Sequence, residues 1–203
     1  MVGGVSENAS PDAIEIALRD LRYDRSWLTR GLLSPENLLR QHQDFCAKVP
    51  WSTDLEHFHI NAFHAWRIMR YQFTDAEIED AIAVLMTDTD LFSTSSLLLS
   101  LLQEALTDQQ FDRILEAACS KGLGSKTAAF ERFLRTWSKG IPNDEYLRAS
   151  VDSGIAAIHL FLVKKCDVPW VLEALKTVGT SKEVRHVATQ RLLQLQSRQR
   201  HDP

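Results

Sequence analysis

The sequence predicts an all-α protein built from stacked antiparallel helical hairpins, an α-solenoid, with a compact helical bundle as the alternative. Three observations predict the all-α class. Helix-start signals recur along the whole chain, the apolar residues behind them return at three- and four-residue steps, and no segment alternates apolar and polar residues as a strand would.

In chain order, Ser10-Pro11-Asp12 opens the first helix with a polar cap and a proline whose missing N–H costs nothing in the first turn, and Ile14, Ala17, Leu18 and Leu21 form its apolar stripe. Ser34-Pro35-Glu36 repeats the signal. Thr53 with Glu56 has the spacing of a capping box, in which threonine and an acid or amide three places on satisfy each other's exposed backbone donors. The helix behind it carries Leu55, Phe58, Ala62, Trp66 and Met69 on one face. Thr74 with Glu77 starts the next, striped by Ile78, Ala81, Ile82 and Leu85. An Asp88/Asp90 turn follows, then a helix over about 94–106 whose leucines occupy more than one face and place it centrally. Thr107 with Gln110 and Thr180 with Glu183 are two further capping boxes, and Phe130, Phe133, Leu134 and Trp137 stripe the helix between them. The pattern predicts about nine or ten helices joined by short turns, such as those at Gly122 and Gly179, which make consecutive helices neighbours.

A chain of 203 residues buries about 70% of its unfolded surface, enough to fold without staples, and no linker interrupts it, so a single domain spanning 1–203 is expected, with frayed ends at 1–9 and 197–203. Cys46, Cys119 and Cys166 are odd in number and widely spaced, as buried thiols of a reducing cytoplasm would be. The first residues lack the basic and apolar stretches of a secretory signal, and LFSTSSLLLSLL is too short and too rich in serine to cross a bilayer. A soluble, cytoplasmic protein without membrane contact is expected.

Residues 171–195, VLEALKTVGTSKEVRHVATQRLLQL, form a leucine-bearing helix, a tight turn, and a second helix with Val184-Arg185, Ala188 and Leu192. In this stretch the chain resembles a HEAT-type helical repeat. The resemblance implies a small residue for close helix packing and an arginine that engages an acidic turn residue of a neighbouring repeat, although the family's turn aspartate has no counterpart here. Residues 78–102 resemble a second, poorer unit, with Ile82, Leu85 and the Asp88/Asp90 turn but no Val-Arg pair. The resemblance implies a scaffold with a binding groove.

Three histidines stand in TDLEHFHINAFHAWRIMRY. On a helix, His59 lies at the edge of the core face beside Trp66, whereas His57 and His64 point nearly the opposite way and stand two turns apart, about 10 Å, too far for one ion. The sharper alternative is a metal-dependent helical enzyme. Glu56-x-x-His59 and Glu183-x-x-His186 have the spacing that di-iron bundles project inward from two helices, with Glu104 or Glu116 to complete the set. Both motif glutamates also fit the third position of a capping box. GLGSKT at 122–127 lacks the spacing of a phosphate loop and reads as a helix end followed by a cap at Ser125. Pro50-Trp51 and Pro169-Trp170 each precede a helix, with the tryptophan packed under its own helix start or offered as an exposed anchor.

Charge is uneven. Residues 1–70 have a net charge of −1, 71–120 of −9 and 121–203 of +6. Glu77, Glu79, Asp80, Asp88, Asp90, Asp108 and Asp112 are therefore the candidate partner-binding residues, an acidic mid-section that attracts a protein with a basic surface. A basic strip at Lys121, Lys126, Arg132, Arg135 and Lys139, extended toward the tail by Arg185, Arg191, Arg198 and Arg200, is the second alternative, a nucleic-acid surface, against which stands the small excess of positive charge. The expected function is a non-catalytic protein-binding module, an adaptor, inhibitor or immunity-type scaffold, with no cofactor.

Overall fold

The computed structural model describes residues 10–49 and 54–199. Among these residues there are twelve helices and no strand. The chain forms two compact units, Met1–Leu123 and Gly124–Pro203. The first holds α1 (Pro11–Asp20), α2 (Ser26–Thr29), α3 (Pro35–Cys46), α4 (Leu55–Ile68), α5 (Asp75–Thr87), α6 (Thr94–Leu101) and α7 (Asp108–Ser120). The second holds α8 (Ser125–Ser138), α9 (Asp144–Asp152), α10 (Ala156–Lys165), α11 (Pro169–Val178) and α12 (Lys182–Gln199). The border between the units is a helix end and not a linker. Gly122, at φ +96°, closes α7 as Gly122 N–H donates to Cys119 O and Leu123 N–H to Ala118 O.

Two of the four capping boxes form as expected. Thr74 Oγ1 accepts from Glu77 N–H at 3.2 Å while the Glu77 carboxylate accepts from Thr74 N–H at 2.9 Å, and Thr107 and Gln110 repeat the arrangement. The other two do not. Thr53 lies outside the described residues, and Asp54 caps α4 by accepting from Glu56 N–H at 3.0 Å. Ser181, not Thr180, caps α12, accepting from Val184 N–H at 3.1 Å. In both cases a second capping residue follows the threonine directly, so the helix starts one residue later and the glutamate falls at the second helical position, out of the box geometry. Ser34 caps α3, Pro11 takes the first position of α1 without a side-chain cap from Ser10, and Ser125 is the first residue of α8, behind Gly124, not its cap.

In the first unit α1 packs on α3, α5 on α7, and α6 on α7. Leu97, Leu98 and Leu101 of α6 are buried, and the helix ends at Leu101, so Leu102 and Leu106 reach the core from the loop after it. The face of α4 buries Phe58, Ala62 and Trp66 as expected, together with His59 and Phe63. Met69, expected on that stripe, is 83% exposed because α4 ends at Ile68 and the helical register is lost.

The core of the second unit gathers Phe133, Leu147, Leu162, Val171, Leu175 and Val184. Its tightest turn joins α11 to α12. A Cβ on Gly179 would stand 2.4 Å from Leu175 O and 2.7 Å from Val184 Cγ1, so only glycine admits this approach of helix to helix. Val184, Ala188 and Leu192 are buried, and Arg185 Nη1 donates to Gly179 O at 2.6 Å. α12 continues to Gln199, past the point where fraying is expected. Trp170 sits half-buried against the core and α9, with its indole N–H 3.3 Å from Asp144 Oδ1 and Arg148 over its ring. Pro50 and Trp51 lie outside the described residues. Cys166 is buried, but Cys46 and Cys119 are exposed, contrary to expectation. No helix among the described residues is long and apolar enough to cross a membrane.

Candidate functional site

The first unit is organised around a buried polar cluster. His59, expected at the core edge, is fully buried, with Nδ1 2.7 Å from Asp88 Oδ2 and Nε2 3.0 Å from Leu21 O. A carbonyl only accepts, so the contact of Nε2 with Leu21 O places a hydrogen on Nε2, while Nδ1 faces the carboxylate. Trp27 Nε1 donates to the same Asp88 oxygen at 2.9 Å, and Asp90 N–H donates to the other at 3.0 Å. Tyr23 stacks on the imidazole at 4.1 Å between ring centres, and its hydroxyl donates to Gln41 Oε1 at 2.8 Å. Burial pushes the Tyr23 phenol well above its ordinary pKa, so it stays neutral. Each polar atom of the cluster has its partner, which is what lets an imidazole and a carboxylate sit in a core.

Gln41 carries this cluster to the wall of an open cleft of about 670 Å³. The cleft lies between the α2–α3 loop, α3, α4 and the start of α5. Its polar lining includes Asn37, Arg40, Gln41, Asn61, Arg70 and Glu77, and its apolar lining includes Ala62, Ala65 and Met69. Arg70 is fixed by three contacts: Nε to Glu77 Oε1 at 2.8 Å, Nη1 to Trp66 O at 2.6 Å, and its guanidinium over the Trp66 ring at 4.5 Å. The Thr74 backbone N–H and the Arg70 guanidinium hold the Glu77 carboxyl below the usual carboxylate range. Arg40 is exposed and donates to Asn37 Oδ1 at 2.9 Å. Beside the cleft, at the end of α4, Ile68, Met69 and Tyr71 are 74%, 83% and 94% exposed.

The seven candidate acids do not form one free negative surface. Asp88 is 4% exposed and belongs to the core, so it is withdrawn from the partner-binding set. Glu77 pairs with Arg70, Glu79 with Arg113 at 2.6 Å, Asp80 with Arg30 at 2.7 Å and Asp90 with Arg22 at 3.6 Å. Three of these four arginines come from outside the acidic segment, which a count by segment does not register. Asp108 and Asp112 are exposed at the start of α7 and also take part in interactions. The charge of the whole unit is nonetheless strongly negative, 19 carboxylates against 10 Lys and Arg residues, whereas the second unit has 8 against 13.

The paired E-x-x-H residues are engaged elsewhere. Glu56 Oε1 accepts from Ser93 N–H at 2.9 Å, ahead of α6, and both nitrogens of His59 are spent on Asp88 and Leu21. Glu183 and His186 are exposed on α12, where His186 Nε2 meets the Gln190 amide at 2.8 Å. Among the described residues no three His, Cys, Asp or Glu side chains converge on a point a metal would occupy. His57 is exposed near Asp54, and burial together with Arg67 lowers the pKa of His64. Of the basic strip, Lys126, Arg132 and Arg135 lie on α8 with Lys139 at its end, Lys121 belongs to the first unit, and Arg185 and Arg191 are turned to the carbonyls of Gly179 and Val163.

Sequence reasoning missed the Trp27–Asp88–His59 cluster and the cleft donors Arg40, Gln41 and Arg70. Asp88 is 29 residues from His59 and 61 from Trp27, and no spacing rule spans such distances. The available signal was the lone Trp27 behind a short polar stretch. No family model, no curated protein and no solved structure matches this chain.

Proposed function

We propose that the chain is a non-catalytic protein-binding module, an adaptor, inhibitor or immunity-type scaffold, whose first unit engages a partner with a basic surface. The observation that carries this reading is the run of uncovered apolar side chains Ile68, Met69 and Tyr71 on a unit of net charge −9. Large aromatic and methionine side chains left in water are characteristic of interface cores, where their burial supplies affinity. The acids act here as a field spread over the unit that speeds encounter, since most of the candidate residues are already paired. The α11–α12 hairpin serves in this reading as a HEAT-like unit. Buried Val184, Ala188 and Leu192 support it, with Arg185 bonded to Gly179 O where the family has an acidic turn residue. The exposed thiols of Cys46 and Cys119 fit a reducing, cytoplasmic setting.

The test is affinity capture from the source cell with the wild-type chain and with Met69→Glu/Tyr71→Glu, both at exposed positions. A partner retained by the wild type and lost from the variant, with retention that weakens as salt rises, is the expected result. Equal retention by both proteins removes the apolar run from the account, and salt-independent retention removes the charge.

A further inference from the structure

The geometry points to a second binding activity: the cleft between α3 and α4, which shares Met69 with the exposed apolar run, is a site for a small organic carboxylate. Its donors line the cleft from α3 and from the end of α4, and two of them, Gln41 and Arg70, are held in place. Gln41 gives its oxygen to the Tyr23 hydroxyl, which leaves its amide N–H groups for the cleft. Tyr23 is itself stacked on the buried His59, so this amide is anchored to the core of the unit. Arg70 spends Nε and Nη1 on Glu77 and the Trp66 carbonyl and keeps its remaining N–H groups. Arg40, on the neighbouring wall, has a single bond to Asn37 and is the least committed cation of the cleft.

Charge selects the class of ligand. The lining holds two guanidiniums and one carboxylate, which balances one negative charge, and the unit around it is strongly negative, which works against a dianion such as a phosphate monoester. Two planar guanidiniums and an amide match the planar oxygens of a carboxylate. Ala62, Ala65 and Met69 offer an apolar wall for the body of the ligand, and about 670 Å³ is within the range of small-molecule sites.

The experiment is a titration of the intact chain, labelled with nitrogen-15, followed through the side-chain N–H signals of Gln41 and the arginines. The probes are acetate, phenylacetate, octanoate and indole-3-acetate, with phenylacetamide as the neutral control and phenyl phosphate as the dianion. Saturable shifts at Gln41 and Arg70 with at least one carboxylate are expected, with phenylacetamide and phenyl phosphate weaker than phenylacetate. Arg40→Gln, at an exposed position, is expected to weaken the carboxylate about tenfold, the loss of one charged hydrogen bond, with the circular-dichroism spectrum unchanged. The proposal is overturned if none of the four carboxylates saturates at millimolar concentration, if the amide binds as tightly as the acid, or if Arg40→Gln binds like the wild type. Tighter binding of phenyl phosphate than of phenylacetate overturns the choice of a monoanion.

Discussion

Among the described residues each unit buries one histidine almost completely, and the two are held in opposite ways. His59 in the first unit is fixed by a side-chain carboxylate 29 residues away and a carbonyl 38 residues away, within a cluster that also engages Trp27 and Tyr23. His159 in the second unit uses the main chain alone. Its Nε2 donates to Val151 O at 2.7 Å and its Nδ1 accepts from Thr180 N–H at 3.3 Å, 8 and 21 residues away. The second arrangement closes a local gap between the end of α9 and the turn before α12. The first ties α4 to the ends of α1 and α5, and it requires a carboxylate in a core. A buried carboxylate is tolerable only while every partner is present.

Removing Asp88 is the hardest test of that difference. Asp88→Ala leaves the Trp27 indole N–H, the Asp90 amide and the His59 ring without their acceptor, and should cost about 3–5 kcal/mol, the range for breaking a buried charged network. Urea unfolding of the intact chain measures it, and a loss below 1 kcal/mol would reduce the cluster to ordinary packing. His159→Ala, which orphans one carbonyl and one amide, should cost less, about 2–3 kcal/mol. His159→Gln, whose amide offers both a donor and an acceptor, should recover part of that loss, and no recovery would mean that ring packing and not hydrogen bonding holds the position.

The smallest effect separates two capping boxes. Glu77 and Gln110 hold the same position in theirs, but only Glu77 also pairs with an arginine. The folded-state pKa of Glu77 is depressed, so its contribution is complete above the ordinary carboxylate range and is lost as pH falls through the depressed value. Glu77→Gln keeps the box, as Gln110 shows, and removes the charge. Stability near neutral pH should fall by less than about 1 kcal/mol, as for other partly exposed pairs. Stability should then decline less steeply in acid, and an unchanged slope would mean that the pair contributes nothing.

Where the sequence was read correctly, the determining contacts lie within one helical turn. Ser34, Thr74 and Thr107 start their helices as expected because a cap needs only a side chain and an amide two or three residues on. Thr53 and Thr180 misled for the same local reason, since Asp54 and Ser181 cap equally well one residue later and shift the register. The leucine-bearing helix, tight turn and second helix expected over 171–195 correspond to α11 and α12, and Val184, Ala188 and Leu192 are buried. The acidic residues were judged by their neighbours in sequence, and their actual partners, such as Arg30 for Asp80, stand 50 residues away.

The amino-acid order alone determined that this chain is all-helical, where most of its helices begin, which faces of them are apolar, and how its charge is divided, because caps, periodicity and counts of ionisable groups depend on few residues close together. Only the tertiary structure decided that Asp88 is a core residue and not a surface acid, that both nitrogens of His59 are spent, and that Arg40, Gln41 and Arg70 share one cleft. Those outcomes depend on which distant groups meet away from water, where an unpaired polar atom costs far more than in solvent.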